Sequence, residues 1–599
     1  MVGRAHELAE IERALDDARS GRGRLVLIGG TAGVGKSRLA DAAIEAAQHQ
    51  QLPIERSYCV DDPGAPPLWP WRRLVRGWDG TDALPAAETG EPDAAARFRL
   101  FVAITDLIAA RADGGLLVVL EDMHWADRTS VLLLRHLVAE LAALPVAVVT
   151  TYRDSAPGPL TDLVPDLLRG EASRAIALGG LAADHVAAWL PQLTGTTDPE
   201  FARVLHQRTG GNPLLVRLVA EDLARSGGSD AETFGRLMSE RPQLRHIVAA
   251  RVAPLSLDVR EIVDAASVLG ERVDTALLAA LTGRDSADVG ELLRAAFTAG
   301  VLRDGGRDGG PVFEHALVRD AVYAELAPER RAGLHRRAAA ALEMAFGAEA
   351  AGSIATHWQQ ADGLDALEQC LRWSEVADER ARAACANDDA ARFAELAVAC
   401  GRRTGAEPAE LARLLVRLAE ACLFANHVAA SLAACVAAAD LAEGAGRVDL
   451  LAEAGLVVHG MGHPAVHRTI PPICERALAL LPPDEHATRS RLLAQIAVGA
   501  AEAEGGPRPA ELAADALAEA EVSGDGGAIL EALAARHLAI AIPDTVAERL
   551  QLGRRAVEIG ASARQPIAAL WGHLWRTDAA FQLGNLVEIE RELAAIDRV

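Results

Sequence analysis

The sequence predicts a multidomain protein in which a parallel α/β domain is followed by a long all-α region. Short apolar runs near residues 25, 54, 116, 146 and 175 alternate with helical patterns, which is typical of a parallel sheet. From about residue 330 onward the chain is rich in alanine and leucine and almost entirely helical in pattern. Its 599 residues are too many for one hydrophobic core, so we expect three or four domains.

Composition excludes several classes of function. The formal net charge of −24 argues against this chain itself gripping a nucleic-acid backbone, which requires clustered positive charge. No apolar run approaches the roughly 20 residues of a membrane span, and the N-terminus lacks a signal-peptide pattern. We therefore expect a soluble cytoplasmic protein with no membrane partner.

The seven cysteines stand far apart and include no CxxC pair. They are Cys59, Cys370, Cys385, Cys400, Cys422, Cys435 and Cys474. We expect them to be buried as small apolar side chains in a reducing compartment, in preference to forming disulfides or a metal site.

Lys36 is the only lysine in the chain, and it lies in the octet Gly30–Ser37, which has the full GxxxxGK[ST] pattern. The apolar run Leu25–Ile28 precedes it as a buried strand, and Arg38–Ala47 follows as a helix. Such a turn presents backbone N–H groups to phosphate oxygens, places the lysine at the β- and γ-phosphates and gives the serine hydroxyl to magnesium. The predicted nucleotide-binding residues here are Gly30, Ala32, Gly33, Val34, Gly35, Lys36, Ser37 and Arg38. An ordinary glycine-rich turn is the alternative.

Two further strands carry candidate residues at their carboxyl ends. The run Leu116–Leu120 ends in Glu121 and Asp122, where carboxylates can hold magnesium and its waters. Glu121 stands where an aspartate is usual, which puts efficient hydrolysis in doubt, and a capping acid pair is the alternative. The run Val146–Thr151 leads to Arg153, which we expect to face the γ-phosphate, although a solvated surface arginine would look the same in sequence.

Several motifs in order make the resemblance to a known class specific. They are Val2–Arg4, the octet around Lys36, Leu120–Asp127, Thr150–Arg153, Thr209–Leu214 and Phe313–Asp320. Together they resemble the STAND class of signalling ATPases, and most closely the large ATP-binding regulators of the LuxR family, which are relatives of the maltose regulon activator. The resemblance covers roughly the first 380 residues, whereas the helical remainder is similar only in class.

The resemblance implies further roles. Gly3 and Arg4 fall in the segment near the adenine, although Ala5 replaces the acid usual next to them. Pro213 would pack against the base, with a plain helix-initiating proline as the alternative. His315 would contact the β-phosphate of bound ADP and hold the resting state closed, with a capping histidine at a strand-to-helix junction as the alternative. His124 and Trp125 match the pattern without a chemical role that the sequence reveals.

The predicted domains follow the same resemblance. Residues 1–181 form a P-loop NTPase domain, 182–235 a helical lid, 236–328 a winged helix and 329–599 a sensor of tetratricopeptide-like helical repeats. The pattern predicts helices at Val259–Ser267 and Val289–Ala299, a glycine-rich turn at Asp304–Gly310 and a strand at Pro311–Phe313. Because no polar terminal cap is evident at Val599, we expect more chain to follow in the natural protein.

The sequence therefore predicts a slow regulatory ATPase, closed with ADP and self-associating with Mg²⁺ and ATP. An unknown inducer would bind the repeats, and DNA would be bound only by an output domain not in this chain. One alternative is a scaffold whose nucleotide is structural. Another is the signalling module of a cyclase or kinase. A metabolic kinase is disfavoured, because a long helical array would have no use in it.

Overall fold

The computed structural model describes residues 2–62, 64–79, 93–154, 156–195, 197–225, 252–305, 310–458, 463–503, 507–563 and 566–598. The chain divides into two compact units, residues 1–393 and 394–599. The first unit contains all the predicted site residues, so it is described first.

The first unit is built on a five-stranded parallel sheet, as the apolar runs predict. Its strands are β1 (Arg24–Gly30), β2 (Ile54–Tyr58), β3 (Leu116–Glu121), β4 (Val146–Tyr152) and β5 (Ser173–Leu178). The spatial order is β2-β3-β4-β1-β5, so β4 lies between β1 and β3. β4, with Arg153 after it, therefore separates the strand that leads to the glycine loop from the strand that leads to the acid pair.

Side chains alternate between the two faces of the sheet along each strand, and each face packs against its own apolar layer. Leu25 and Leu27 of β1 pack on one face, under the helices α3 (Trp69–Asp79), α4 (Asp93–Arg111), α5 (Arg128–Glu140) and α6 (Pro159–Leu167). Val26 and Ile28 pack on the other, under α1 (Ala5–Arg19) and α2 (Lys36–His49). The two buried faces explain why the strands are continuously apolar, and they fix the carboxyl edge where the loops meet.

Two groups of elements follow the sheet. Three helices come first, α7 (Ala183–Thr194), α8 (Pro199–Thr209) and α9 (Pro213–Arg225). After the undescribed residues 226–251 come α10 (Leu257–Leu269), α11 (Thr275–Thr282), α12 (Ser286–Thr298), an antiparallel pair β6 (Leu302–Arg303) and β7 (Val312–Phe313), and α13 (Ala316–Glu325). The predicted strand and the helices near 259 and 289 are confirmed, whereas α11 was missed. Part of the predicted glycine-rich turn, residues 306–309, lies outside the described residues.

The rest of the first unit is helical. It consists of α14 (Pro328–Phe346), α15 (Ala351–Gln360), α16 (Leu364–Ala383) and the first turns of α17 (Asn387–Thr404). Gly64 and Gly352 approach so closely that a Cβ on Gly64 would lie 2.0 Å from the Gly352 carbonyl carbon. This close packing and the ion pair Arg128–Asp388 (3.5 Å) place the helices up to Phe393 with the sheet. The predicted boundaries after residues 181, 235 and 328 stay predictions.

The second unit is an array of helices, as predicted. After α17 come α18 (Pro408–Phe424), α19 (Val428–Gly444), α20 (Val448–Leu456), α21 (Pro464–Leu480), α22 (His486–Ala503), α23 (Arg508–Ser523), α24 (Gly526–Ala539), α25 (Val546–Ala563), α26 (Pro566–Gln582) and α27 (Leu586–Ile596). Neighbouring helices pack through small residues, for example Ala497, Ala516 and Ala532. Alanine allows close approach of the helix backbones, which explains its abundance in this half of the chain.

All seven cysteines are buried and free, as predicted. In the parts of the chain that the structure describes, no helix is long and apolar enough to cross a membrane.

Candidate functional site

The glycine octet joins β1 to α2 as the motif requires. Gly33 and Gly35 have φ values of +79° and +105°, a region that favours glycine, and Gly35 precedes the first residue of α2. A side chain on Gly33 would also collide with Leu214, whose Cβ lies 2.8 Å from the position of an added Cβ. The loop therefore keeps its backbone open to a ligand only because these positions are glycine.

Lys36 is held inside this loop. Its Nζ donates to the carbonyl oxygens of Gly30 and Thr31, each at 2.9 Å. Burial lowers the pKa of this amine to about 8, although the charge of Asp122 opposes the shift. A desolvated ammonium with only carbonyl partners is suited to bind an anion such as a phosphate.

The turn before α9 is hydrogen-bonded to the glycine loop. Asn212 donates from Nδ2 to the carbonyl oxygen of Ala32 at 2.9 Å, and the Leu214 N–H donates to the carbonyl of Gly33 at 3.2 Å. The Asn212 Oδ1 accepts the Leu214 N–H at 3.1 Å, which caps α9. The sequence pointed to Pro213 in this turn and missed Asn212, whose side chain makes the connection. Pro213 is the first residue of α9, and its predicted contact with a base stays a prediction.

Arg4 supports the same loop from behind. It is only 8% exposed, and its Nη2 donates to the carbonyl of Val34 at 3.2 Å and to that of Gly179 at 2.5 Å. Gly3 has φ +67°, and a Cβ there would lie 2.7 Å from the ring of His185. The two residues thus connect the loop to the segment after β5, while their predicted place near an adenine stays a prediction.

Replacing Arg4 with alanine is expected to lower the free energy of unfolding by about 2 kcal/mol, because two buried carbonyl oxygens lose a charged donor. Chemical denaturation of the full-length protein checks this. Arg13→Ala on α1, whose side chain is 63% exposed, is the matched control and should change stability little. A loss no larger than that of the control would contradict the supporting role of Arg4.

Asp122 lies at the tip of β3 in a strained conformation. Its φ of +55° is unusual for a residue other than glycine, and its N–H donates to the Thr151 Oγ1 at 2.9 Å. Burial, together with the charges of Glu271 and Glu121, raises its pKa to about 7. Strained backbone and a raised carboxyl pKa at a strand tip are typical of functional positions.

Glu121, the other acid predicted to serve magnesium, pairs with an arginine of β2. It is 1% exposed, and its carboxylate accepts two hydrogen-bonding nitrogens of Arg56, at 2.8 and 2.6 Å. Arg56 also pairs with Asp41 at 3.0 Å. The structure therefore places Glu121 in an ion pair between β3 and β2, and its role at magnesium stays a prediction.

Arg153 follows β4, and its positive charge shifts the pKa of several groups around it. Its guanidinium lies 5.8 Å from the Trp125 ring centroid. Its positive charge lowers the pKa of Asp122 and of Glu271, each raised mainly by burial. It also contributes, after burial, to lowering the pKa of His315 to about 4. Arg153 and His315 are therefore brought to the Lys36 site, and His315 is a neutral imidazole there.

Glu271 and its neighbours were missed by the sequence reasoning. Glu271 follows α10, and its charge acts on both Asp122 and Lys36. Close by, Arg319 of α13 forms an ion pair with Asp61, which follows β2. No motif marks Glu271 or Asp61, and Arg319 lies in the motif Phe313–Asp320 without a role that the sequence reveals, because their importance comes from contacts between segments about 150 to 260 residues apart in the chain.

His124 offers the clearest unsatisfied group at the site. It is 7% exposed, and neither ring nitrogen has a hydrogen-bond partner among the described residues. Burial and the charges of Arg153 and Lys36 lower its pKa to about 3, so it is neutral. Leaving a buried polar group unpaired costs about 1–3 kcal/mol, and a ligand bound beside Lys36 would remove this cost.

These features fit a nucleotide with a magnesium ion. The loop amides and Lys36 supply anion contacts, and the unpaired His124 supplies one more polar group. Ser37 is exposed in the first turn of α2. Asp122 follows β3 at the carboxyl edge of the sheet, where the glycine loop also lies. No group of three or more His, Cys, Asp or Glu suited to a metal is present in the described segments. Magnesium needs none, because it takes most of its ligands from phosphates and water.

Comparison with known proteins agrees with this geometry. Residues 1–149 match the family model of the AAA ATPase domain. An uncharacterized protein from Rhizobium meliloti (strain 1021) is 26% identical over 476 residues, which are 69% of this chain and 44% of that protein. The chain thus spans less than half the length of that relative.

Solved structures with a similar arrangement include a signal transduction ATPase with numerous domains and a tetratricopeptide repeat sensor from Pyrococcus horikoshii. It is 13% identical with a TM-score of 0.42, covering 98% of this chain and 88% of that one. The Walker-type ATPase of Pyrococcus abyssi is 16% identical with a TM-score of 0.28, covering 54% of this chain and 96% of that one. The first 149 residues of the present chain are thus similar to the AAA ATPase domain, and a long helical array follows later in the chain.

Proposed function

We propose that this protein is a nucleotide-dependent signalling switch that binds ADP in a closed resting form and Mg²⁺ with ATP in an active form. One observation carries the proposal: several segments far apart in sequence converge on the glycine loop around Lys36. They are the turn at Asn212, the segment of Glu271, and the strand tips bearing Asp122 and Arg153. A change in the phosphates bound at Lys36 would alter the charge balance that these segments share.

Each residue has a proposed part in the switch. The loop amides and Lys36 hold the phosphates, Ser37 and Asp122 hold magnesium, and Arg153 contacts the γ-phosphate. His315 contacts the β-phosphate of ADP as a neutral donor. The ion pairs Arg319–Asp61 and Arg217–Glu314 keep the segment around His315 against the site when ADP is bound.

The wider role we propose is regulation of transcription in the manner of LuxR-family ATP-binding regulators. The helical array would bind an inducer, ATP-bound copies would self-associate, and DNA would be bound by a domain outside this chain. Support comes from the ordered motifs of the first 380 residues and from the array itself. Hydrolysis would be slow and would reset the switch.

The test is to denature the purified protein and identify the nucleotide that it releases. We expect close to one ADP per chain, followed by self-association when ATP replaces it, measured by light scattering. Release of ATP, or of no nucleotide, would contradict an ADP-closed resting state and the role of His315. If the nucleotide is tightly bound and its exchange does not change the assembly state, the alternative is favoured, in which the protein is a scaffold and the nucleotide is structural.

The affinity for Mg²⁺ with ATP is expected to be highest between pH 7 and pH 8. Below about 7 the carboxyl of Asp122 is protonated because its folded-state pKa is raised, so magnesium must displace a proton. Above about 8 Lys36 loses its proton because its folded-state pKa is lowered, and the attraction to phosphate weakens. Titrations with a fluorescent nucleotide, from below pH 7 to above pH 8, measure the fall in affinity on the acid side and on the alkaline side.

Asp122→Asn is the control for the acid limb. It should remove the fall in affinity below pH 7 while leaving the fall above pH 8 in place. The same acid limb in the variant would show that another group, such as the nucleotide itself, titrates there.

A further inference from the structure

A cavity of about 300 Å³ lies beside the nucleotide site and is not used in the proposed switch. Its walls include the indoles of Trp69 and Trp125 and the rings of Pro66 and Pro70. The start of α17 closes it with Asp388 and Asp389. This cavity, named here the Trp69 cavity, lies entirely within the first compact unit. Its size and apolar walls with a few polar groups are those of a small-molecule site.

The charges lining the Trp69 cavity do not balance. Four aspartates line it, Asp62, Asp127, Asp388 and Asp389, against two arginines, Arg128 and Arg392, which gives a formal net charge of −2. Arg128 pairs with Asp388 at 3.5 Å, and Arg392 pairs with Asp389 at 3.3 Å. Both guanidiniums are therefore already engaged.

The other two carboxyl groups have only neutral hydrogen-bond partners, although the charge of Arg392 acts on Asp62. Asp127 accepts the Ser130 N–H at 2.9 Å, the Ser130 hydroxyl at 2.5 Å and the Leu68 N–H at 3.0 Å. Asp62 accepts the Gly64 N–H at 2.8 Å and the hydroxyl of Ser353. Within the described part of the chain neither forms an ion pair. Hydrogen bonds hold these side chains in place but do not cancel their charge.

Burial adds to the cost of this arrangement. It raises the pKa of Asp62 and of Asp127, and burial together with the charge of Asp127 raises the pKa of Asp389 to about 6. Near neutral pH Asp389 is nevertheless ionised, so like charges are held close together with little solvent between them. A positive charge placed among them would be attracted by all of them at once.

We propose that the Trp69 cavity binds a small organic cation: a protonated amine, guanidinium or amidinium on a flat apolar body. The carboxylates of Asp389 and Asp127 receive the charge, and the Trp69 and Trp125 rings contact the apolar part. An anionic ligand is disfavoured by the net negative charge, and a fully polar ligand by the indole and proline walls. This site goes beyond the proposed switch and does not depend on nucleotide binding.

Isothermal titration of the full-length protein with three matched probes tests this. Benzamidine has the cation and the flat body, benzamide keeps the shape without the charge, and benzoate reverses the charge. At pH 7.5 we expect benzamidine to bind at least about tenfold more tightly than benzamide, and benzoate not to bind. Lys36→Met should not change benzamidine binding, which separates this site from the nucleotide site.

Two substitutions of opposite sign make the test independent of any loss of fold. Asp389→Asn should weaken benzamidine binding about tenfold, whereas Arg392→Gln should strengthen it several-fold by removing a competing cation. Asp440→Asn on α19, an exposed acid remote from this cavity in sequence, is the control and should change nothing. The proposal is overturned if benzamide binds as tightly as benzamidine, if no probe binds at about 10 mM, or if neither substitution alters the affinity.

Discussion

Lys36→Met is expected to lower the affinity for both ADP and ATP by at least about 100-fold. The side chain is the only ammonium group of a lysine in the protein, and it is buried in the loop that we expect to hold the phosphates. Methionine fills a similar space without the charge, so the loop keeps its shape while the main attraction to phosphate disappears. Titration calorimetry after removal of bound nucleotide gives both affinities.

Arg22→Met is the control for this substitution. Arg22 precedes β1, lies outside the glycine loop, and has a side chain that is 63% exposed. We expect its affinity to change less than about threefold. Equal losses in the two variants would mean that the charge of Lys36 is not what binds phosphate.

The stability of the nucleotide-free Lys36→Met protein is an additional check. Burial lowers the pKa of Lys36 to about 8, so the folded state holds this ammonium at a cost near neutral pH. Replacement by a neutral side chain is therefore expected to leave the free energy of unfolding unchanged or slightly higher. A large loss of stability would indicate that the hydrogen bonds to Gly30 and Thr31 organise the loop.

Arg153→Ala is expected to lower the affinity for ATP by about 30- to 100-fold and that for ADP by less than about threefold. Its guanidinium lies at the tip of β4, between the strands that carry the glycine loop and Asp122. We expect it to contact the γ-phosphate, which only ATP has. Parallel titrations with ATP and ADP give the ratio of the two affinities in the variant and in the unmodified protein.

Two further variants define what Arg153 contributes. Arg153→Lys keeps the charge without the planar fork and should recover only part of the ATP affinity. Arg169→Ala, whose side chain is 80% exposed, should leave both affinities unchanged. Equal losses for ADP and ATP in Arg153→Ala would show that the residue balances Glu271 and Asp122 in the free site instead of reading the γ-phosphate.

The sequence predicts the elements well and their contacts less well. The strands and the loop around Lys36 follow from apolar runs and glycine positions, which are local properties. The pairing of Glu121 with Arg56 could not be seen, because it depends on which face of β3 the side chain meets. The connection from Asn212 to Ala32 spans 180 positions, and nothing local indicates its partner. Glu271 went unnoticed for the same reason, and so did the partner of Arg319, although Arg319 itself lies in a recognised motif.

Lys36 also gives this protein an unusual chemical property. Reagents that acylate lysine have one target in these 599 residues, the Lys36 amine, because every other basic side chain is an arginine or histidine. An amine with a pKa of about 8 is far more nucleophilic at neutral pH than an ordinary lysine. Acylation of one residue, counted by mass spectrometry, would therefore report the occupancy of the nucleotide site directly, without any engineered label.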